Sequence, residues 1–439
     1  MAEVPVDLLA EFIRKATWHG PLEPAERLLA EHPELRGAGI HAAAILGDDA
    51  AVRALIARDP SCIHATSPPY GGDALTHLGL SRYLRLDPSR SDAFLRAATA
   101  LLDAGADPNT GFWTAGEHPE RETAIYGAAG VAHHEALTRL LLSRGADPND
   151  VEVCYHAPET YDNGALKAVV ETGRVTPDNL AMMLVRKHDW HDLEGARYLL
   201  EHGADPNADR ARWSPIHHAI ARNNSSDMVA LLLDHHADPY VVRDGLTAIQ
   251  RAARRGRGDL LELFRRRGFE LRLEGVDRLI AACALDDAAD VRAIAAGEPR
   301  LVRELLAMGP ALLSEFASTW NAAGLGHLLD LGVPIEARYP GDGYWDLGPD
   351  STALHAAAWI STPPAVELLI ARGADVNARD AKGRTPLMLA VLATVDSYWT
   401  DRRSPRAVKA LLEAGATTDG VRFPSGYEAV DDLLRARMS

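Results

Sequence analysis

The chain has 439 residues, 62 acidic and 46 basic, for a formal charge of −16. That balance argues against binding a phosphate backbone, which needs Lys and Arg in surplus on a surface, and suits plain solubility or a cationic partner. Hydrophobic residues make up 47% but aromatics only 6%, so a continuous core is affordable and must be built mainly from Ala and Leu.

Lys15, Lys167, Lys187, Lys382 and Lys409 are the only lysines, which with abundant Ala suggests a GC-rich bacterial genome. Cys62, Cys154 and Cys283 lie far apart and form no C-x-x-C, so they read as small buried apolar groups in a reducing compartment. No apolar run is long enough for a membrane span. The opening MAEVPVDLLAEFIRK is amphipathic and acidic rather than basic and apolar, so a cytoplasmic protein is expected.

In chain order, residues 1–36 read as a capping helix pair with Leu8, Leu9, Phe12, Ile13, Leu28 and Leu29 inward. A first repeating unit opens at Gly39-Ile40-His41-Ala42-Ala43, with a second helix over 50–57 that Asp59-Pro60 stops. The next opens at Asp73-Ala74-Leu75-Thr76 and carries an insertion, Tyr83 to Asp92, before Gly105 closes it. Thr123-Ala124-Ile125-Tyr126 opens another, closed at Gly145. Glycine suits that closing place because the chain must turn left-handed after the helix. A long connection, Asp150 to Asp162, and a short helix over 165–171 then lead to Thr176-Pro177-Asp178-Asn179-Leu180.

The clearest unit runs from Ser214 to Asp238. Ser214 and Pro215 start one helix, Asn223-Asn224-Ser225-Ser226 breaks it, and Asp227 opens a second with Val229, Leu232 and Leu233 on one face. Residues 276–332 keep helical apolar spacing (Leu279, Ile280, Cys283; Leu312, Leu313, Phe316; Leu328, Leu329) but lose the opening text. Regular units resume at Thr352-Ala353-Leu354-His355-Ala356 and Thr385-Pro386-Leu387-Met388, the latter with an insertion from Thr394 to Pro405, and residues 427–435 form a terminal cap.

Ser214-Pro215-Ile216-His217-His218-Ala219 resembles the T-P-L-H-x-A signature of ankyrin repeats. Gly105-Ala106-Asp107-Pro108-Asn109, Gly145-Ala146-Asp147-Pro148-Asn149, Gly203-Ala204-Asp205-Pro206-Asn207 and Gly373-Ala374-Asp375-Val376-Asn377 match that family's G-A-D-x-N ending. The resemblance covers essentially the whole chain. It implies an all-α fold of helix pairs with short β-hairpin fingers, stacked as a curved single solenoid with a concave groove. The expected segments are a cap over 1–36, repeats with extended fingers over 37–268, degenerate helix pairs over 269–335, and repeats with a C-terminal cap over 336–439. In the family the signature His ties neighbouring repeats. Here it is replaced by Thr76, Tyr126, Gln250 and Met388 and kept at His41, His217 and His355, so stacking at the former is expected to be less regular.

Aromatics gather in the segments that should be fingers. Trp113, Tyr126, Tyr155, His156, Tyr161, Trp213, Tyr240, Tyr344 and Trp345 are the expected lining of the groove, since Trp and Tyr supply large, stiff contact area. The plainer alternative is that these rings pack the fingers on one another, Trp213 above all. Tyr398-Trp399 lies in an insertion away from the fingers and is left out. His188 and His191 fall in an inter-helix turn, and the pairs His133-His134, His217-His218 and His235-His236 point apart on a helix, so no metal site is expected. No nucleophile elbow, P-loop, G-x-G-x-x-G or H-E-x-x-H is present, and Cys154 near His156 is too close in sequence for a dyad. The expected function is a binding module for a protein or peptide, basic or Arg-containing, with no cofactor and no nucleic-acid or membrane partner. The competing expectation is an enzyme or small-molecule-binding protein whose pocket is built from the enlarged fingers.

Overall fold

A computed structural model describes residues 4–208, 214–395 and 403–438. The chain divides into two compact units, Met1–Ala219 and Ile220–Ser439. Both are all-α repeats of short helix pairs in two layers.

In unit 1 the inner layer holds α1 (Val6–Ala16), α3 (Ile40–Ile45), α5 (Ala74–Gly79), α8 (Ala124–Tyr126, continued by a π-helical turn over Gly127–Val131), α10 (Val151–His156) and α12 (Pro177–Asp189). The outer layer holds α2 (Glu23–Glu31), α4 (Asp49–Arg58), α7 (Ser91–Asp103), α9 (Glu135–Ser143), α11 (Gly164–Val170) and α13 (Leu193–Glu201), with a short α6 (Arg82–Leu86) inserted before α7. Between α7 and α8 the finger forms strands β1 (Gly111–Trp113) and β2 (Arg121–Thr123), paired antiparallel with Phe112 opposite Glu122 and Trp113 opposite Arg121.

The segment 150–162, read from the sequence as a connection, is instead the inner half of a repeat. Asp150 accepts from the backbone N–H of Glu152 (3.0 Å) and Val153 (3.2 Å), which nucleates α10, and Val153 and Cys154 are buried beneath it. With α11 it makes a complete pair whose apolar faces stack on the repeats before and after.

Unit 2 repeats the plan. Helix α14 (Pro215–Ala221) carries the unit boundary, and α15 (Ser226–Asp234), α16 (Ala248–Arg254), α17 (Gly258–Arg266), α18 (Val276–Ala284) and α19 (Ala288–Gly297) follow. Next come α20 (Pro299–Ala317), α21 (Ala322–Asp330), α22 (Ala353–Trp359), α23 (Pro363–Ala371), α24 (Pro386–Ala393), α25 (Arg406–Glu413) and the closing α26 (Glu428–Met438). The degenerate region is therefore helix pairs without fingers, and α20 runs through Pro310 as a single 19-residue helix.

The recurring pentapeptide explains the stacking. Gly105 and Gly145 adopt φ of +101° and +100°, the left-handed turn that glycine permits. The Asp side chain then holds the turn: Asp107 and Asp147 each accept from the N–H two residues on, at 2.9 Å. That leaves the Asn free to reach forward. Asn109 donates to the Gly145 carbonyl (3.1 Å) and accepts from the Asp147 N–H (2.8 Å). Asn149 does the same to the Arg174 carbonyl (2.9 Å) and the Thr176 N–H (2.8 Å), and Asn377 to Gly415 (3.3 Å) and Thr417 (2.8 Å).

The signature histidine acts as the resemblance implies at His355, which accepts from the Thr352 N–H (3.1 Å) and donates from Nε2 to the Arg384 carbonyl of the next repeat (3.0 Å). Where His is missing, other groups take over its role. Gln250 closes a capping box with Thr247 and donates to Asp277 (3.1 Å), and Asp73 accepts from Thr110 of the following repeat (2.5 Å). In these two repeats the tie survives with different chemistry, so there it does not depend on that histidine. Cys154 and Cys283 are fully buried, and burial pushes both thiols up to about 12, whereas Cys62 is only partly covered.

Candidate functional site

The β1–β2 hairpin of unit 1 has two working faces, because strand side chains alternate. Trp113 and Arg121 share one face. Phe112 and Glu122 share the other.

On the first face, Trp113 is 65% exposed and stands over a groove of about 640 Å³. Its charged lining is Glu120, Asp147, Asp150 and Glu152 against the single cation Arg121, which donates to the Asn109 carbonyl (2.9 Å). Thr123 caps α8 and its hydroxyl donates to Asp150 (2.7 Å), joining the hairpin to α10.

The second face meets a cluster of rings and acids. Phe112 stacks on Tyr70 (5.2 Å between centroids), and Trp18 packs edge-on against both, at 5.8 and 5.7 Å. The Tyr126 ring lies 5.4 Å from His156. His156 sits between two carboxylates, Nδ1 at 2.7 Å from Glu159 and Nε2 at 3.4 Å from Glu152. Burial works against its imidazolium, but Glu159 and Glu152 outweigh that and hold its pKa above the usual histidine range. Arg186 lies over the Tyr155 ring (4.1 Å) and pairs with Glu159 and Asp189. Asp189 in turn is 2.8 Å from His218 Nε2.

Glu122 is the exception in this network. It is 3% exposed, and its Oε2 has no hydrogen-bond partner. Burial, reinforced by the charges of Glu152 and Glu120, pushes its carboxyl up to about 7.

The expected lining residues divide accordingly. Tyr126, Tyr155 and His156 come together in the ring-and-acid cluster, and Trp113 lines the groove on the hairpin's other face. Tyr161, 65% exposed, packs edge-on against Trp190 (5.7 Å) and belongs to neither. In unit 2, Tyr240 is half-buried, donates to the Glu270 carbonyl (2.9 Å) and carries Arg272 over its ring (4.4 Å). Tyr344 is exposed beneath Arg222. Two expectations of an open position are corrected. Tyr126 occupies the signature histidine's place inside a capped helix and is buried, and Trp345 is buried with its carbonyl accepting from Trp359 Nε1. Trp213, Tyr398 and Trp399 lie outside the described residues.

Trp18, Glu122, Glu152, Glu159 and Arg186 were missed. Strand alternation around Phe112-Trp113 and the spacing of Glu152, His156 and Glu159 over one helical turn each would have pointed to part of this set. A separate cavity of about 520 Å³ in unit 2, lined by Asn223, Asp259, Asp286, Trp320 and Asn321 among others, also went unread. His188, expected in a turn, ends α12 fully buried, and burial presses its pKa down to about 3.

The model of the family described as ankyrin repeats (3 copies) matches residues 91–242, 182–275 and 291–420, well over half of the chain. The chain is an ankyrin-repeat protein. A comparison with curated proteins finds no match. Ankyrin repeats generally mediate protein–protein interaction, so the hairpin faces of this ankyrin-repeat chain are read first as surfaces for a macromolecular partner.

Proposed function

We propose that this ankyrin-repeat protein is a non-catalytic binding module that holds a protein or peptide rich in basic side chains on the Trp113 face of its unit 1 hairpin. The observation that carries the reading is Trp113, exposed over a groove whose charged lining is predominantly acidic. An exposed Trp beside carboxylates suits a segment that combines Lys or Arg with apolar contact. The overall charge of −16 supports a cationic partner and speaks against nucleic acid. The unpaired cysteines support a reducing, cytoplasmic setting. No helix among the described residues is long and apolar enough to cross a membrane.

The test is peptide selection from a random displayed library on the intact chain, counter-selected on Trp113→Ala. Enrichment of Lys- and Arg-containing peptides that the variant fails to hold supports the reading. Enrichment without basic residues, or equal retention by Trp113→Ala, overturns it.

A second reading draws on Glu122. A carboxyl that titrates near neutrality suits general acid–base work, as an enzyme or small-molecule binder built on enlarged fingers would require. A thermal-shift screen against a metabolite library separates the two. Stabilisation by a neutral metabolite that Glu122→Gln abolishes favours this second reading over the first.

A further inference from the structure

The cavity of about 520 Å³ in unit 2 lies where the helix turns of successive repeats are drawn together. Asn321 holds them: Nδ2 donates to the carbonyls of Gly256 (2.8 Å) and Ala284 (2.6 Å), and Oδ1 accepts from the Gly324 N–H (2.8 Å). Asn223 adds a link to the Ser318 carbonyl (3.2 Å). The approach is close enough to need glycine, since a Cβ on Gly258 would run into the Ala284 carbonyl. Among the second helices of the pairs, α15 packs on α17 and α21 on α23, whereas α19 packs on α18 and α20. The row is thus interrupted at α19, and α17 and the turn into α21 both line the cavity.

The polar groups of this wall are already engaged with one another. Thr319 donates to the Phe316 carbonyl (2.9 Å). Arg257 closes on Asp259 through Nε and Nη2, both at 2.8 Å, and its Nη1 donates to the Asn224 carbonyl (2.9 Å). Covering such a wall strands few donors, so an apolar group can enter at little desolvation cost. Leu285 and Ile360 line it, and Trp320 stands beside them 59% exposed. The charged lining is uneven: Asp259, Glu262 and Asp286 against the single guanidinium of Arg257. That guanidinium answers Asp259, which leaves the exposed carboxylates of Glu262 and Asp286 to set the sign of the rim. Arg265 (3.1 Å) and His327 (2.7 Å) touch them from beyond the lining.

We propose that this cavity is a second docking site. It takes one large apolar side chain of a protein partner, flanked in that partner by Lys or Arg set against Glu262 and Asp286. The volume falls within the roughly 300–1,000 Å³ of ligand pockets and has room for one such side chain with its own backbone. An exposed Trp at the edge of a cavity is the residue type that anchors such contacts, and its ring face also attracts the flanking cation. The site is separate from the Trp113 face and shares with that reading only the cationic character of the partner.

The test is ¹⁹F NMR of the full chain labelled with 5-fluorotryptophan, with Trp320→Phe assigning the Trp320 signal among the eight tryptophans. The capped tripeptide Arg-Phe-Arg is expected to move that signal saturably. Capped Glu-Phe-Glu and Arg-Ala-Arg are expected to bind at least about 10-fold more weakly, the first for its charge and the second for its missing ring. Asp286→Asn and Glu262→Gln, both at exposed positions, are each expected to weaken Arg-Phe-Arg binding by about 2- to 5-fold. Phenethylamine supplies ring and cation without a peptide: weaker binding than the tripeptide supports a protein partner, and tighter binding overturns the proposal in favour of a free small cation. A Trp320 signal that no peptide moves, an equal response to Glu-Phe-Glu or Arg-Ala-Arg, or full affinity in the Asp286→Asn, Glu262→Gln double variant also overturns it. The Trp113 signal, assigned in the same way, reports the other face. A response at Trp113 without one at Trp320 removes this site alone, and the reverse removes the groove reading alone.

Discussion

Lys187 Nζ lies 2.8 Å from Asp192 Oδ2, and the lysine side chain is completely buried. The ammonium also donates to the Thr160 carbonyl (2.6 Å), and Asp192 accepts in addition from Asn163 Nδ2 (2.9 Å) and the Gly195 N–H (2.9 Å). A charge so enclosed is tolerable only because every neighbour answers it. The pair ties the end of α12 and the start of α13 to the segment after α10.

Lys187→Met leaves Asp192 buried without its counter-charge and is expected to destabilise unit 1 by about 3–5 kcal/mol. Adding Asp192→Asn to that variant is expected to recover part of the loss, because a neutral amide needs no cation. Thermal and urea denaturation of the single and double variants measure both effects, and a double variant no better than the single one would contradict the account.

Glu122 gives a prediction with a sign. Burial pushes its carboxyl up to about 7, from an ordinary glutamate value of 4.5, so the folded state holds the proton more tightly. Well below pH 4.5 both states are protonated and the group costs nothing; as pH rises from about 4.5 to 7 the unfolded chain gives up a proton that the folded one keeps, so stability falls, and above about 7 the penalty is complete and level. Glu122→Gln is therefore expected to come close to the unaltered chain at pH 4.5 and to exceed it in stability at pH 8, by about 1–2 kcal/mol. Melting curves at the two pH values decide it.

Asn149 makes three forward hydrogen bonds, donating to the Arg174 carbonyl and accepting from the Thr176 N–H and from Asn179 Nδ2 (3.1 Å). Asn149→Ala is expected to cost about 1–3 kcal/mol through the two backbone groups it strands. Faster hydrogen exchange at the Thr176 amide is the local readout, and an unchanged rate there would show that the backbone finds other partners.

Trp345 and Trp113 are expected to separate cleanly. Trp345 is 7% exposed, so Trp345→Ala opens a cavity and should cost about 3–5 kcal/mol. Trp113→Ala, at an exposed position, should stay within about 0.5 kcal/mol of the unaltered chain. Differential scanning calorimetry of the two variants distinguishes a packing ring from a surface one.

The repeat was legible because its signals are local. A glycine that must turn left-handed, an Asp that holds the turn and a Pro or Thr that starts a helix each act within a few residues, so their spacing in the text survives into space. The ring-and-acid cluster was not legible for the opposite reason. Trp18, Tyr70 and Phe112 meet through stacking of successive repeats, as do Tyr126 and His156, and no periodicity of the sequence records those meetings. Glu122 illustrates the difficulty: in the text it is one acid among Glu117, Glu120 and Glu122, and only strand alternation and the acids of α10 distinguish it from its neighbours. The segment 150–162 was misread because its polar, aromatic composition masks a six-residue helix that Asp150 starts.

The forward reach of Asn109, Asn149 and Asn377 has a bearing on how such a chain grows. Each clasp is written in the module that offers it and closes on main-chain atoms of its successor, which any amino acid supplies. A duplicated module thus arrives carrying its own fastener and makes no demand on the sequence that receives it. Lengthening by whole modules, with fingers free to diverge afterwards, is the evolutionary path this hydrogen-bond pattern leaves open.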